Sequence, residues 1–112
     1  MKKNYVCVGV FGGLLLAGAV LNAADGDAKK GKDIFEQNCD VCHNADSTDA
    51  KVGPGLKGLF KKENLTSDSN KKVTDATVME IINKGSPAGM PAFEDQLSAQ
   101  QRADVLAYLK SL

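Results

Sequence analysis

Two cysteines and a histidine fall within five consecutive positions, Cys39-Asp40-Val41-Cys42-His43, and no other cysteine or histidine lies between residues 25 and 112. A thioredoxin-like dithiol belongs in a βαβ setting, and the chain offers no alternating strand of useful length. A zinc site needs a fourth ligand and usually a second ligand pair. A plain disulfide would leave the sole histidine beside Cys42 without a role. What remains is C-x-x-C-H, the attachment signature of c-type haem. At the end of a helix, thiols three residues apart reach the two vinyl groups on one side of a porphyrin, and the adjacent imidazole turns onto the iron. One covalent haem c is therefore expected, tethered by Cys39 and Cys42 and ligated by His43.

Such a group answers a shortage in the chain. Setting aside nine Ala and two Cys, residues 25–112 hold only 21 sizeable apolar side chains. A core that small is marginal and usually requires a disulfide, metal or cofactor as a staple. The same stretch carries 12 basic against 14 acidic residues, a balance that gives no support for a nucleic-acid binder, and none is expected as a partner.

Residues 1–24 read as a secretory signal. Met1-Lys2-Lys3 is a short basic start, Tyr5 to Leu21 an uncharged apolar run, and Asn22-Ala23-Ala24 a small-residue exit. Cleavage is expected after Ala23 or Ala24. The apolar run has 17 residues, close to the roughly 20 that span a bilayer, so an uncleaved anchor is the alternative. Gly12-Gly13 and the small exit favour cleavage, with no stable membrane insertion afterwards. Cys7 leaves with the leader, and residues 25–112 form a single exported domain in an oxidising compartment, the periplasm of a bacterium.

The mature domain reads as all-α. Ala28, Gly31, Ile34, Phe35 and Asn38 have helical spacing from Asp27 to about Cys39, with Asp25 and Asp27 near the start. Residues 44–72 are loop-like, rich in Asp, Asn, Ser and Gly, with an apolar patch at Leu56, Leu59 and Phe60. Thr74-Asp75 opens a second helix carrying Val78, Ile81 and Ile82, closed by Gly85. Residues 86–93 hold Pro87, Gly89 and Pro91 and form a second loop. Ser98 with Gln101 is a capping-box pattern that opens a third helix through Val105, Leu106, Leu109 and Leu112.

A low-spin electron carrier needs a sixth iron ligand, and a thioether raises the potential by favouring the ferrous state. Met79 lies in the second helical pattern beside Val78, where a packing role is ordinary. Met90 lies in the Gly/Pro loop, where Pro91 donates no backbone hydrogen bond and the chain path is restricted. Met90 is the favoured ligand; Met79 and an open or water-bound position are the alternatives.

These elements together resemble the class I (monohaem, His/Met) cytochromes c, especially the short bacterial and c6-like members. The resemblance spans essentially all of residues 25–112: Gly31 and Phe35 before the haem motif, Gly53-Pro54-Gly55-Leu56, Gly89-Met90-Pro91-Ala92-Phe93, and a final helix with Tyr108. It implies three main helices and long loops wrapped around one covalently attached haem. It also implies a periplasmic one-electron carrier, monomeric and not an enzyme, that shuttles electrons between redox partners. Pro54 would offer its carbonyl to the free ring nitrogen of His43. Gly31 and Phe35 would let the first helix cross the last near Tyr108 and Val105. Leu56, Leu59, Phe60, Val78, Ile82 and Phe93 are the candidate apolar wall. Many relatives place a Trp near a haem propionate, and this chain has no Trp, so its propionate partners are open.

Two other patterns carry less. Gly53-Pro54-Gly55-Leu56-Lys57-Gly58 spells a dinucleotide-binding G-x-G-x-x-G without the preceding strand, and Asn64-Leu65-Thr66 is a glycosylation sequon by spelling alone. Lys57, Lys61, Lys62, Lys71 and Lys72 are either a solvated loop face or a docking patch for an acidic partner. A haem subunit dedicated to one oxidoreductase, or a gas sensor if Met90 is displaced, are the alternative functions.

Overall fold

The computed structural model describes residues 25–112; the expected signal segment, residues 1–24, lies outside the described residues. Three helices carry the fold: α1 (Ala28–Asn38), α2 (Asp75–Lys84) and α3 (Ala99–Lys110), with one 3-10 turn at Leu59–Lys61. Among the described residues there is no strand beyond an isolated antiparallel bridge between Asn64 and Lys72. Each helix starts where its sequence provides a cap. The Asp27 carboxylate accepts from the Lys29 and Lys30 backbone N–H groups. Reciprocal capping boxes join Thr74 to Thr77 and Ser98 to Gln101. Gly85 ends α2 at φ 73°, a conformation costly for any residue with a Cβ.

The helices meet through α1 and α3, which cross at Gly31. A Cβ there would stand 2.5 Å from the Asp104 carbonyl carbon and 2.9 Å from Tyr108 Cβ. One turn on, Phe35 is buried and meets Tyr108 edge to face, ring centroids 5.4 Å apart. Buried Asp104 fastens the start of α1: its Oδ1 accepts from the Asp27 N–H at 2.8 Å and from Gln100 Nε2 at 3.0 Å. Both partners are needed, because a buried carboxylate without donors is strongly destabilising. Phe35, Leu59, Leu65, Val78, Ile82, Phe93, Leu97, Val105 and Leu109 make one continuous core. No helix among the described residues is long and apolar enough to cross a membrane.

Candidate functional site

The core does not close on itself. It lines one side of a cavity of about 250 Å³ whose wall is largely apolar. Cys39 caps the C-terminus of α1 through its N–H to the Phe35 carbonyl at 2.7 Å. The chain then turns tightly, with the N–H groups of Cys42 and His43 both donating to the Cys39 carbonyl. This turn brings Cys39, Cys42 and His43 onto the cavity wall, both cysteines with free thiols. Burial, and secondarily the neighbouring Cys42, pushes the Cys39 thiol up to about 11. It is therefore neutral at physiological pH, a state that the apolar wall tolerates.

The segment after His43 folds back onto the turn. Gly53 N–H donates to the Cys42 carbonyl and Leu56 N–H to the Asn44 carbonyl, each at 2.8 Å. These bonds deliver the Pro54 carbonyl to His43 Nδ1 at 2.8 Å. A carbonyl only accepts, so Nδ1 carries the proton and Nε2 keeps its lone pair for a metal. Gly53 lies against the ring: a Cβ there would stand 2.8 Å from Nδ1 and 3.0 Å from Nε2. Glycine is required here to let the imidazole lie against the backbone. Gly58, the last member of the G-x-G-x-x-G spelling, adopts φ 70° ahead of the 3-10 turn. The motif is thus backbone for a histidine pocket.

The opposite loop is held just as firmly. Ser86 N–H donates to the Met90 carbonyl at 3.0 Å and Phe93 N–H to the Ile82 carbonyl at 2.9 Å, tying residues 86–93 to the end of α2. Met90 lines the cavity, whereas Met79 stays half-exposed in α2 away from it. One cavity therefore brings together two thiols, an imidazole with a free nitrogen and a thioether. Its donor chemistry and apolar wall suit a haem iron.

Pro54, Leu56, Leu59, Val78, Ile82 and Phe93 all border the cavity. Phe60 does not, which corrects its expected place on the wall. The 3-10 turn directs Leu59 inward and sends Phe60 to the other side, where its ring centroid lies 5.9 Å from Lys110 Nζ. Sequence reasoning missed Leu65, Val105 and Leu109 as wall residues. Leu65 is buried although it sits in a polar stretch, because residues 63–73 double back as an irregular hairpin. Leu65 N–H donates to the Lys71 carbonyl and Val73 N–H to the Glu63 carbonyl, both at 2.9 Å. Val41 and Val52, 77% and 83% exposed, stand at the cavity mouth.

Comparison with known proteins gives the family and the fold. A family model described as cytochrome c matches residues 28–112. A cytochrome c-553-like protein of Synechocystis is 34% identical over 90 residues, covering 80% of this chain and 73% of that protein. Cytochrome c 2.1 of Caenorhabditis elegans is 33% identical over 98 residues, covering 76% and 88%. The solved structure of cytochrome c6 from the diatom Phaeodactylum tricornutum superposes with a TM-score of 0.59 at 26% identity, covering 77% of this chain and 93% of the other.

Proposed function

The chain belongs to the cytochrome c family, as an electron carrier with covalent haem c and not an enzyme, and from that premise we propose a periplasmic carrier with His43 and Met90 as axial ligands and Cys39 and Cys42 as tethers. The observation that carries the assignment is the cavity shared by these four side chains, with His43 Nδ1 engaged by Pro54 at 2.8 Å. Haem bound there supplies an iron that takes up and gives back one electron. The protein's contribution is to change little while that happens. His43 is fixed by Pro54 and Gly53, and Met90 by a loop anchored to α2, so both ligand arms are positioned in advance. Phe35, Leu59, Val78, Ile82 and Phe93 surround the site with apolar surface, which disfavours the extra positive charge of the ferric state. Export follows from the signal-like leader, and a mature chain beginning at Ala24 or Asp25 is expected on N-terminal sequencing.

Redox partners dock at the cavity mouth in this proposal, where Val41, Val52 and Pro91 form an apolar rim. Lys57, Lys61, Lys71 and Lys72 are exposed and make no ion pair among the described residues. They lie on segments whose neighbours, Leu56 and Leu65, line the cavity, which suits steering of an acidic partner. The ligand assignment is tested by the absorption spectrum of the ferric protein. The wild type should show the weak long-wavelength sulfur-to-iron charge-transfer band of a thioether ligand, and Met90→Ala should lose it and lower the potential. A band that survives in Met90→Ala would remove Met90 from the site.

A further inference from the structure

Arg102 is the only arginine in the chain, and it stands half-buried in α3. It makes no ion pair among the described residues. Its Nη1 donates to the side-chain Oδ1 of Asn83, while its Nε is buried without a hydrogen-bond partner among the described residues. A guanidinium partly stripped of water holds its remaining acceptor more strongly than a solvated one would. Asn83 is the penultimate residue of α2, where unsatisfied carbonyls give the helix end a partial negative charge. Those carbonyls are taken by the chain returning from the Met90 loop: Phe93 N–H donates to the Ile82 carbonyl at 2.9 Å and Glu94 N–H to the Asn83 carbonyl at 3.2 Å. Asn83 thus holds the returning chain on its backbone and α3 on its side chain. The second polar link between these helices, Lys110 Nζ to Asp75 Oδ2 at 2.8 Å, is exposed and lies at the opposite, N-terminal end of α2.

We propose that Arg102 is the clasp of the Met90 loop: a positioning residue that acts through Asn83 to keep residues 86–93 closed on the end of α2, and so keeps the thioether at the cavity. The inference rests on the reading of Met90 as a ligand. Residues 86–92 are half-buried or exposed, so little apolar burial of their own holds them down. Closure depends on buried Phe93 and on the two bonds returning to Ile82 and Asn83. Arg102 fixes the acceptor side of those bonds. With the Asn83 side chain held to α3, the last turn of α2 cannot fray without breaking a hydrogen bond from a charged donor in a partly dry setting. A lysine would bring the charge without the planar fork of donors.

The test is imidazole binding to the ferric holoprotein, followed by absorption, together with amide hydrogen exchange at Phe93 and Glu94. Imidazole reaches the iron only while the Met90 arm is away, so its apparent affinity scales with the open fraction of the loop. Arg102→Leu should tighten imidazole binding about tenfold, the low end for loss of a hydrogen bond from a charged donor, and should speed exchange of the two amides by a similar factor. Asn83→Leu should do the same, and the double variant should go little beyond either single one, because one contact is removed in all three. Lys110→Gln breaks the other polar link between α2 and α3 and should leave both readouts at parental values. Parental titrations and exchange in Arg102→Leu would overturn the proposal, as would equal changes in Lys110→Gln or an additive double variant. If Arg102→Leu yields no holoprotein, Asn83→Leu reads the same contact from its other side, and parental behaviour there is equally fatal. Met90→Ala separates the two levels: it should bind imidazole far more tightly than the parent. Equal affinity would sink the ligand reading and the clasp with it, whereas a large difference leaves only the clasp to be decided by the other variants.

Discussion

Replacing Gly31 by Ala sets two opposed effects against each other, and the structure says which wins. In an exposed helix interior the change stabilises by up to about 1 kcal/mol, because alanine loses less backbone entropy. At the crossing of α1 and α3 the added methyl would stand 2.5 Å from the Asp104 carbonyl carbon and 2.9 Å from Tyr108 Cβ. One of these is backbone, and Asp104 is also tied to the start of α1 through the Asp27 N–H. No flexible side chain can swing aside, so the helices must separate. Overpacking of this kind costs typically 1–3 kcal/mol and sometimes more. Separation also loosens the Phe35–Tyr108 contact, worth about 0.5–1.5 kcal/mol beyond its buried area. The expected net loss is about 2 kcal/mol, or roughly 10 °C in Tm for a domain of this size. Guanidinium unfolding of the holoprotein, followed by circular dichroism, measures it at unchanged m-value. Since α1 ends at Cys39, the yield of haem attachment should fall as well. A Gly31→Ala protein as stable as the parent would show that the helices are not held at this distance and would refute the reasoning.

Other outcomes follow from the same geometry. Gly53→Ala places a methyl against the imidazole of His43, 2.8 Å from Nδ1; the bond to Pro54 should be lost, and the ferric spectrum should show a weakened or high-spin ligand field while the helices persist. Cys39→Ala with Cys42→Ala should abolish covalent haem and leave the chain largely unfolded by circular dichroism. Without haem the apolar residues that line the cavity lose the surface they would pack against, and the remaining core is marginal for a domain of this size. Neutralising Lys57, Lys61, Lys71 and Lys72 together should slow electron transfer with an acidic partner about tenfold or more at low ionic strength. The difference should shrink as salt is added, read by stopped-flow kinetics.

How much was legible in advance depended on how far apart the interacting residues lie. The haem motif is five consecutive positions, and the caps at Thr74 and Ser98 act over three residues, so each can be read from the chain without knowing its path. Gly85 and Pro91 likewise announce themselves through the backbone angles they permit. The helices, the all-α class and the covalent cofactor belong to this group. Tertiary structure decided everything that depends on which side of a turn a side chain leaves. Leu59 and Phe60 are equally apolar neighbours, yet only Leu59 reaches the cavity, because the 3-10 turn between Gly58 and Lys62 separates their directions. Leu65 looked like an isolated leucine in a polar loop until the hairpin folded it into the core. Asp104 serves the start of α1 from 77 positions away. Local backbone chemistry is written in the sequence, whereas the haem-facing surface is assembled by contacts between segments whose meeting the packing alone determines.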